Sequence, residues 1–204
     1  RSCPWQEPWI AGFIKIKEKL TTNLVDIVHC VKTGGVIAYP TESCFGLGCD
    51  PRNKNAVRRI LDMKRRHWHQ GLILIADSSF RFRSFVDMND LNLMSEPLSS
   101  WPGPFTWLIP KAPSAPTWIH GQHETIAVRV TSHLLIKKIC FYSRQAIVST
   151  SANRSGRPTL RNAVSVYREF GPEIDYIFDG KIGVNSQPSK ITDAKTKKII
   201  RVWS

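Results

Sequence analysis

Two short motifs place polar side chains at alternate positions. One is Lys64-Arg65-Arg66, in which Arg65 separates two further cations. The other puts Ser151 and Asn153 in a polar loop at the same spacing. In extended chain, alternate side chains share a face, so a helix that ends near Lys64 would direct Lys64 and Arg66 together and Arg65 away. That pair could bind an anion such as phosphate. A solvated basic helix end and an ordinary serine-rich turn are the alternatives.

Further candidate residues follow predicted strands. Arg129 lies in the apolar strand TIAVRV, where a buried cation needs an acidic partner or an anionic ligand. A structural ion pair would satisfy it equally well. Thr41 follows a strand-ending proline, and Ser149 lies where another strand meets a loop. No Cys–His or Ser–His–Asp set accompanies them, so covalent catalysis is not indicated.

The spacing of apolar residues and turn signals predicts the elements that carry these candidates. Strands alternate with helices, and several connections are short, which indicates an α/β or α+β fold with a mixed sheet. Open α/β sheets bind ligands beyond the carboxyl ends of their strands, where Thr41, Lys64 and Ser151 are expected. The predicted strands are Val36–Tyr39, Leu72–Ala76, Phe105–Ile109, Thr125–Val130, Ala146–Thr150, Tyr176–Phe178, Ile191–Thr192 and Ile199–Val202, and Thr41–Asp50 is predicted to be a loop.

Cations and hydroxyls at such an edge suit phosphoryl or nucleotidyl transfer, which proteins catalyse mainly by positioning and charge. Common phosphate-loop motifs are missing from the sequence. Gly46-x-Gly48 has no third glycine, and no GxxxxGK[ST] motif occurs. The predicted phosphate site therefore depends on side chains.

Composition narrows the class of protein. The 204 residues suit one domain, with residues 1–20 as an N-terminal arm and 21–204 as the folded unit. The net charge of +13 favours a polyanionic ligand such as RNA or a nucleotide. Five cysteines without a CxxC pair argue against structural zinc and a disulfide framework. No apolar run reaches the roughly 20 residues of a membrane span, and no signal peptide is evident, so a cytoplasmic location is expected.

Several segments together resemble one family, the YrdC-like (TsaC) threonylcarbamoyl-AMP synthases in their short bacterial form. The matching segments cover about residues 23–204 in the family's order: VIAYPTESCFGLGCD, LDMKRR, GLILIA, WPGPFT, IAVRV and VSTSANRSGRPT. The resemblance implies a twisted mixed β-sheet flanked by helices around a concave basic groove. It also implies that L-threonine, bicarbonate and ATP react to give threonylcarbamoyl-AMP and pyrophosphate, for threonylcarbamoyladenosine in tRNA.

The resemblance also implies roles for individual residues. The family's tetrad of ATP-binding and catalytic residues falls on Lys64, Arg66, Ser151 and Asn153. Threonine-binding residues fall on Thr41, Arg129, Ser149 and Ser189, and further ATP-binding residues on Thr125, Thr159 and Arg201. Mg²⁺ is expected with ATP, without a dedicated protein metal site. Expected partners are the tRNA threonylcarbamoyl-transfer proteins, with tRNA or double-stranded RNA as further partners and no membrane.

The chain departs from the family pattern at a few positions. His67 replaces a proline, Gln70 replaces a lysine or asparagine, and the segment from Ser189 to Asp193 matches only loosely. Two other functions remain open at this stage. One is an RNA-binding factor in translation or ribosome maturation that uses the same basic groove, with Arg65, Trp68, Arg81 and Arg83 among the cations and aromatics. The other is a carbamoyl-adenylate site like that of hydrogenase maturation proteins.

Overall fold

Two mixed sheets organise the part of the chain that the computed structural model describes, residues 18–183 and 190–201. In the five-stranded sheet the strand order is β1-β9-β2-β3-β8, and in the six-stranded sheet it is β11-β10-β5-β6-β4-β7. The strands are β1 Leu20–Thr21, β2 Ile37–Pro40, β3 Phe45–Gly48, β4 Ile73–Ala76, β5 Phe105–Pro110, β6 Thr125–Val130, β7 Ile147–Val148, β8 Thr150–Ser151, β9 Tyr176–Phe178, β10 Lys190–Asp193 and β11 Ile199–Arg201.

Six helices of the described residues flank the sheets. In four of them, a side-chain oxygen of the preceding Asn or Asp accepts a hydrogen bond from a backbone N–H of the first turn, which satisfies a donor left free by helix geometry. The capping residues are Asn23, Asn53, Asp90 and Asn162. The helices are α1 Leu24–Lys32, α2 Lys54–Lys64, α3 Leu91–Ser100, α4 Thr117–His120, α5 Leu134–Ser143 and α6 Ala163–Phe170.

The sheets bury most of their apolar side chains, but β6 leaves one face partly open. Its burial alternates, so that Ile126, Val128 and Val130 lie in the core while Thr125 and Arg129 remain half-buried on the other face. Helices α1 and α5 pack together over a smaller cluster that includes Tyr39, Ile75 and Ile147. One face of β6, which carries Thr125 and Arg129, is therefore partly accessible to solvent.

The chain passes from one sheet to the other at Ser149. β7 pairs with β4 in the six-stranded sheet, and β8 pairs with β3 in the five-stranded sheet. The N–H of Ser149, between them, donates to the carbonyl oxygen of Ile73 at 2.9 Å. Ser149 and the residues after it consequently lie at the junction of the two sheets.

The predicted α/β class with mixed strand directions is confirmed, with the strands divided between two sheets. The prediction that 41–50 is a loop is wrong, because Phe45–Gly48 pairs with both β2 and β8. The predicted strand 146–150 is two short strands that lie in different sheets. Leu20, assigned to the N-terminal arm, begins β1, and residues 1–17 lie outside the described part.

None of the helices in the described residues has the length and apolar character that crossing a bilayer requires.

Candidate functional site

Lys64, Ser151 and Asn153 form one hydrogen-bonded cluster. Lys64 is only 4% exposed, and its Nζ donates to the carbonyl oxygens of Ser151 at 2.5 Å and Asn153 at 2.9 Å. It also donates to Asn153 Oδ1 at 3.1 Å, an atom that accepts from Ser151 Oγ at 2.7 Å. The two motifs singled out in the sequence, 87 residues apart, therefore meet in one place.

The loop after Ser151 caps the end of α2. The N–H of Ser155 donates to the carbonyl oxygen of Lys64 at 2.9 Å, and Arg154 Nη1 donates to that of Met63 at 3.0 Å. Arg154 also pairs with Glu169 on α6. Carbonyls at a helix C-terminus lack intrahelical partners, and here this loop provides them. The same contacts fix the loop relative to Lys64.

A residue in the left-handed backbone conformation, Arg65, sets the directions of the three cationic side chains. α2 ends at Lys64, and Arg65 has φ 51° and ψ 45°. The N–H of Arg66 donates to the carbonyl oxygen of Leu61, as in a Schellman motif. Lys64 is buried, Arg66 is half-buried and Arg65 is exposed. The predicted separation of Arg65 from its neighbours is confirmed, although a helical cap produces it and not extended chain.

Burial makes the charge of Lys64 costly. Desolvation, followed by repulsion from the nearby Arg66, lowers the pKa of the Lys64 ammonium group to about 8. Burial likewise lowers the pKa of Arg66. A lysine held in this way gains from an anion placed beside it, because the anion would offset the lost hydration.

Arg66 holds the short turn that follows the helix. Its Nη2 donates to the carbonyl oxygen of Gly71 at 2.9 Å, while its Nε is buried without a hydrogen-bond partner. The turn itself, Trp68–Gln70, is a single 3₁₀ turn whose residues are exposed. Gly121, with φ 62°, packs against it so closely that a Cβ there would lie 2.4 Å from the carbonyl oxygen of His69. Arg66 thus keeps a donor unused within the protein.

Arg129 has an acidic partner. Its Nη2 lies 2.6 Å from Glu42 Oε1, and the two side chains are only 12% and 28% exposed. The structural ion pair, which the sequence offered as one of two ways to satisfy Arg129, is therefore present. Arg129 Nε is buried without a partner, so the pair does not use all of the guanidinium donors.

Thr41 and Ser149 lie beside these groups. Thr41 Oγ1 donates to the carbonyl oxygen of Cys44 at 2.8 Å, and Cys44 is close enough to Lys64 to affect its pKa. Tyr39 OH donates to Ser149 Oγ at 2.9 Å, which holds the serine at the junction of the sheets. The turn after β2, which carries Thr41 and Glu42, therefore lies between the Lys64 cluster and the Arg129–Glu42 ion pair.

The remaining predicted residues are less closely connected. Thr125 shares the half-buried face of β6 with Arg129. Thr159 is exposed and precedes Leu160, whose carbonyl oxygen accepts from the N–H of Phe45. Arg201 ends β11, at the edge of the six-stranded sheet. Ser189 lies outside the described residues. A cavity of about 500 Å³ lies just after Thr159 and Leu160 in the chain, between residues 161–163 and 179–182.

Three side chains at the site were not predicted as site residues. Glu42 forms an ion pair with Arg129, and Tyr39 donates a hydrogen bond to Ser149. His133 lies close enough to Arg129 and Glu42 for both charges to affect its pKa. Burial lowers the pKa of His133, and its Nδ1 has no partner. An arginine in an apolar strand signals that an acid is nearby, but only the fold shows which acid.

No group of three or more His, Cys, Asp or Glu side chains in residues 18–183 and 190–201 could hold a metal ion.

Comparison with known proteins identifies relatives along most of the chain. The sequence profile of the Sua5/YciO/YrdC family, described as "Telomere recombination", matches residues 29–202. A threonylcarbamoyl-AMP synthase of Coxiella burnetii is 42% identical over 182 residues, which cover 89% of this chain and 98% of that protein. One from Methylococcus capsulatus is 42% identical over 193 residues, with 95% and 99% covered.

Solved structures agree with this result. Sua5 of P. abyssi, crystallised with L-threonine, matches with a TM-score of 0.76 and 30% identity over 84% of this chain. This chain covers 51% of that protein, about half of its length. YciO of E. coli, at 24% identity and a TM-score of 0.73 over 90% of this chain, shares the fold.

The fold and the site define an α/β protein with cations gathered where two mixed sheets meet. The profile covers far more than half of the sequence, and the chain belongs to the Sua5/YciO/YrdC family. The predicted family is thereby confirmed. The names of the relatives favour the synthase over the RNA-binding translation factor that the sequence left open.

Proposed function

We propose that this chain is a threonylcarbamoyl-AMP synthase, which converts L-threonine, bicarbonate and ATP into threonylcarbamoyl-AMP and pyrophosphate. The observation that carries the proposal is the hydrogen-bonded cluster of buried Lys64 with half-buried Ser151 and Asn153, with Arg66 beside it. It gathers cations and a hydroxyl at the junction of two sheets, in a chain whose relatives are named for this activity. The product would supply threonylcarbamoyladenosine in tRNA.

The reaction needs positioning and charge more than it needs a covalent intermediate. The amine of threonine condenses with bicarbonate, with loss of water, to give a carbamate. An oxygen of this carbamate attacks the α-phosphorus of ATP while pyrophosphate leaves. Negative charge therefore grows on the leaving group. Lys64 and Arg66 are the cations assigned to neutralise it, and they do so best in a site with few waters.

Lys64 must release one protein contact to bind a phosphate directly. Its ammonium group has three donors, and in the structure three protein oxygens accept from them. The longest of these bonds, to Asn153 Oδ1 at 3.1 Å, is the one we assign for exchange. Ser151 Oγ already donates to the same oxygen, so Asn153 would keep a partner. Lys64 would then remain anchored by the two backbone carbonyls.

Arg129 is assigned to the carboxylate of threonine, which suits the planar guanidinium. Its unpartnered Nε shows that Glu42 leaves donor capacity. Thr41, Ser149 and Ser189 are assigned to the rest of the amino acid. A Sua5 relative crystallised with L-threonine supports threonine as the substrate. Thr125, Thr159 and Arg201 are assigned to ATP.

Mg²⁺ is assigned to the phosphates of ATP. It would arrive with ATP and supply further neutralisation of the phosphate charge, as hard cations do when bound mainly by substrate and water. Lys64 and Arg66 are the groups of this chain that would share the same phosphates. We propose a cytoplasmic reaction whose product passes to the tRNA threonylcarbamoyl-transfer proteins.

The proposal is tested by product analysis. Purified protein is incubated with Mg-ATP, L-threonine and bicarbonate, and mass spectrometry is used to detect threonylcarbamoyl-AMP together with released pyrophosphate. Samples that lack threonine or bicarbonate serve as controls. The expected result is product only in the complete mixture. Pyrophosphate release that is independent of threonine, or no product at all, would contradict the assignment.

The lowered pKa of Lys64 predicts how ATP affinity depends on pH. In the free protein the ammonium group loses its proton as pH rises through about 8. Because the charged form binds the triphosphate, the dissociation constant should rise by up to about tenfold per pH unit above pH 8. The rise ends at the higher pKa of the complex. Calorimetric titration of ATP from pH 6.5 to 9.5 measures it.

Lys64→Met is the matched control for this pH dependence. Its ATP affinity should be weak throughout and lack the added loss above pH 8. The same dependence in wild type and Lys64→Met would assign the titration to another group.

A further inference from the structure

A second cationic site lies away from the one described above. A pocket of about 160 Å³ is lined by four arginines, one glutamine and an exposed phenylalanine. We refer to it as the arginine pocket, and its principal residues are Arg52, Phe80, Arg81, Arg83, Arg144 and Gln145. No acidic residue is among those that line it.

The topology separates the arginine pocket from the proposed reaction site. β4 pairs with β7, and the end of β7 lies against the end of β3. The Lys64–Ser151–Asn153 cluster lies near the starts of β3 and β4, whereas Arg129, opposite Ile75, lies towards the end of β4. Arg52 follows the end of β3, Arg81 and Arg83 follow the end of β4, and Gln145 precedes the start of β7. The arginine pocket thus lies at the end of these strands away from the lysine cluster, and none of the residues that line it belongs to the reaction site.

The charge in the pocket is largely uncompensated. Arg81 pairs with Asp77 at 3.0 Å. Within the described residues, Arg52, Arg83 and Arg144 have no carboxylate within ion-pair distance, and all three are exposed. Arg52 donates to Ser84 Oγ at 2.9 Å, which holds its guanidinium in place. Three positive charges converge on a small volume and would repel one another less if an anion lay between them.

A polar donor deeper in the pocket also lacks a partner. Gln145 Nε2 is buried and makes no hydrogen bond. A buried donor without a partner costs free energy, and an acceptor in the pocket would satisfy it. The pocket is too small for a nucleotide, which needs at least about 300 Å³, but it can take a phosphate group. Guanidinium groups and an amide N–H are all donors, which matches the acceptor oxygens of phosphate.

An aromatic platform borders the arginine pocket. Phe80 is 60% exposed, and the guanidinium carbon of Arg83 lies 3.9 Å from its ring centre. Exposed aromatics beside arginines bind single-stranded nucleic acids, because bases stack on the ring while cations follow the phosphates. An acidic peptide would have no comparable use for the ring. The net charge of +13 favours the same class of partner.

We propose that the arginine pocket binds a backbone phosphate of single-stranded RNA, with an adjacent base stacked on Phe80. This interaction is independent of the proposed enzyme activity. It includes Arg81 and Arg83, two of the cations that the sequence suggested for RNA, and adds Arg52, Arg144 and Gln145 to them. It gives the chain a place to hold RNA while ATP and threonine occupy the reaction site.

The test is fluorescence anisotropy with labelled RNA of roughly eight nucleotides. The double variant Arg83→Gln, Arg144→Gln should weaken binding about tenfold or more at about 0.1 M salt and reduce the steepness of the salt dependence by about one unit. The control, Lys32→Gln with Lys195→Gln, removes two exposed cations elsewhere and should have little effect. Circular dichroism melting confirms that each variant is folded.

Phe80→Ala separates stacking from charge. It should weaken binding by about tenfold while leaving the salt dependence unchanged, because it removes a base contact and no cation. Saturating Mg-ATP should not compete with RNA. Equal losses in the lysine control, or competition by ATP, would overturn the proposal. Arginine-dependent binding of inorganic phosphate or pyrophosphate, without RNA binding, would assign the pocket to a free phosphate and also overturn it.

Discussion

Lys64→Met is expected to lower kcat/KM for ATP by about 10³-fold, the loss typical when one group that stabilises transition-state charge is removed. Methionine preserves most of the apolar stem that α2 buries, so the substitution removes mainly the charge and its three hydrogen bonds. Steady-state kinetics with pyrophosphate detection measures the loss. Activity above about a tenth of wild type would contradict a role for Lys64 in the reaction.

Arg65→Met is the matched control, because Arg65 is the adjacent cation and is exposed. It should retain wild-type kinetics. If both substitutions reduced activity equally, the general basic character of the helix end would explain the effect, as the sequence alone allowed.

The kinetic parameters of Lys64→Met distinguish phosphate contact from support of the loop. If Lys64 contacts phosphate, its replacement by methionine should lower kcat and weaken ATP binding while leaving threonine affinity unchanged. If Lys64 only anchors Ser151 and Asn153, its replacement should weaken the binding of both substrates together. The free energy of unfolding should fall in either case, because three oxygens lose their donor. Threonine binding and ATP binding, measured on the same folded variant, decide between these results.

Much of the helix end could be predicted from the residues. The change from an amphipathic stretch to consecutive cations suggests a helix that ends near Lys64, and the observed helix ends there. The left-handed Arg65 could not be predicted, because glycine or asparagine usually occupies that position. Tertiary contacts compensate for it, since the loop after Ser151 supplies partners for the carbonyls of Met63 and Lys64.

Strand β3 shows why part of the site could not be predicted. Its sequence, FGLG, has two glycines, which are uncommon inside strands, and so it is typical of a loop. The glycines are required by close packing, because a Cβ at Gly48 would lie 2.8 Å from both the Tyr39 ring and the carbonyl oxygen of Val148. The need for glycine thus arises from the neighbouring strand β2 and from Val148, which is distant in the sequence. Glu42 likewise could not be assigned to Arg129 from the sequence, because the two residues are 87 positions apart.

Arg129→Met is expected to raise the KM for threonine by about 10²-fold or more, with little change for ATP. Removing one member of a buried, hydrogen-bonded charge pair costs about 2–5 kcal/mol, and loss of the carboxylate contact falls in this range. The single substitution also leaves Glu42, 28% exposed, without its counter-charge. The folded state should therefore be less stable, which by itself could weaken substrate binding.

The double variant Arg129→Met, Glu42→Gln separates these two effects. It removes both charges, so most of the stability lost by Arg129→Met should return, as when a partly buried ion pair is replaced by neutral groups. Threonine affinity should remain low, because no cation is left to bind the carboxylate. If Arg129 served only the ion pair with Glu42, the double variant would regain threonine affinity together with stability. Threonine titrations and denaturant unfolding of the four proteins of this cycle therefore decide whether Arg129 recognises substrate or only holds the turn after β2.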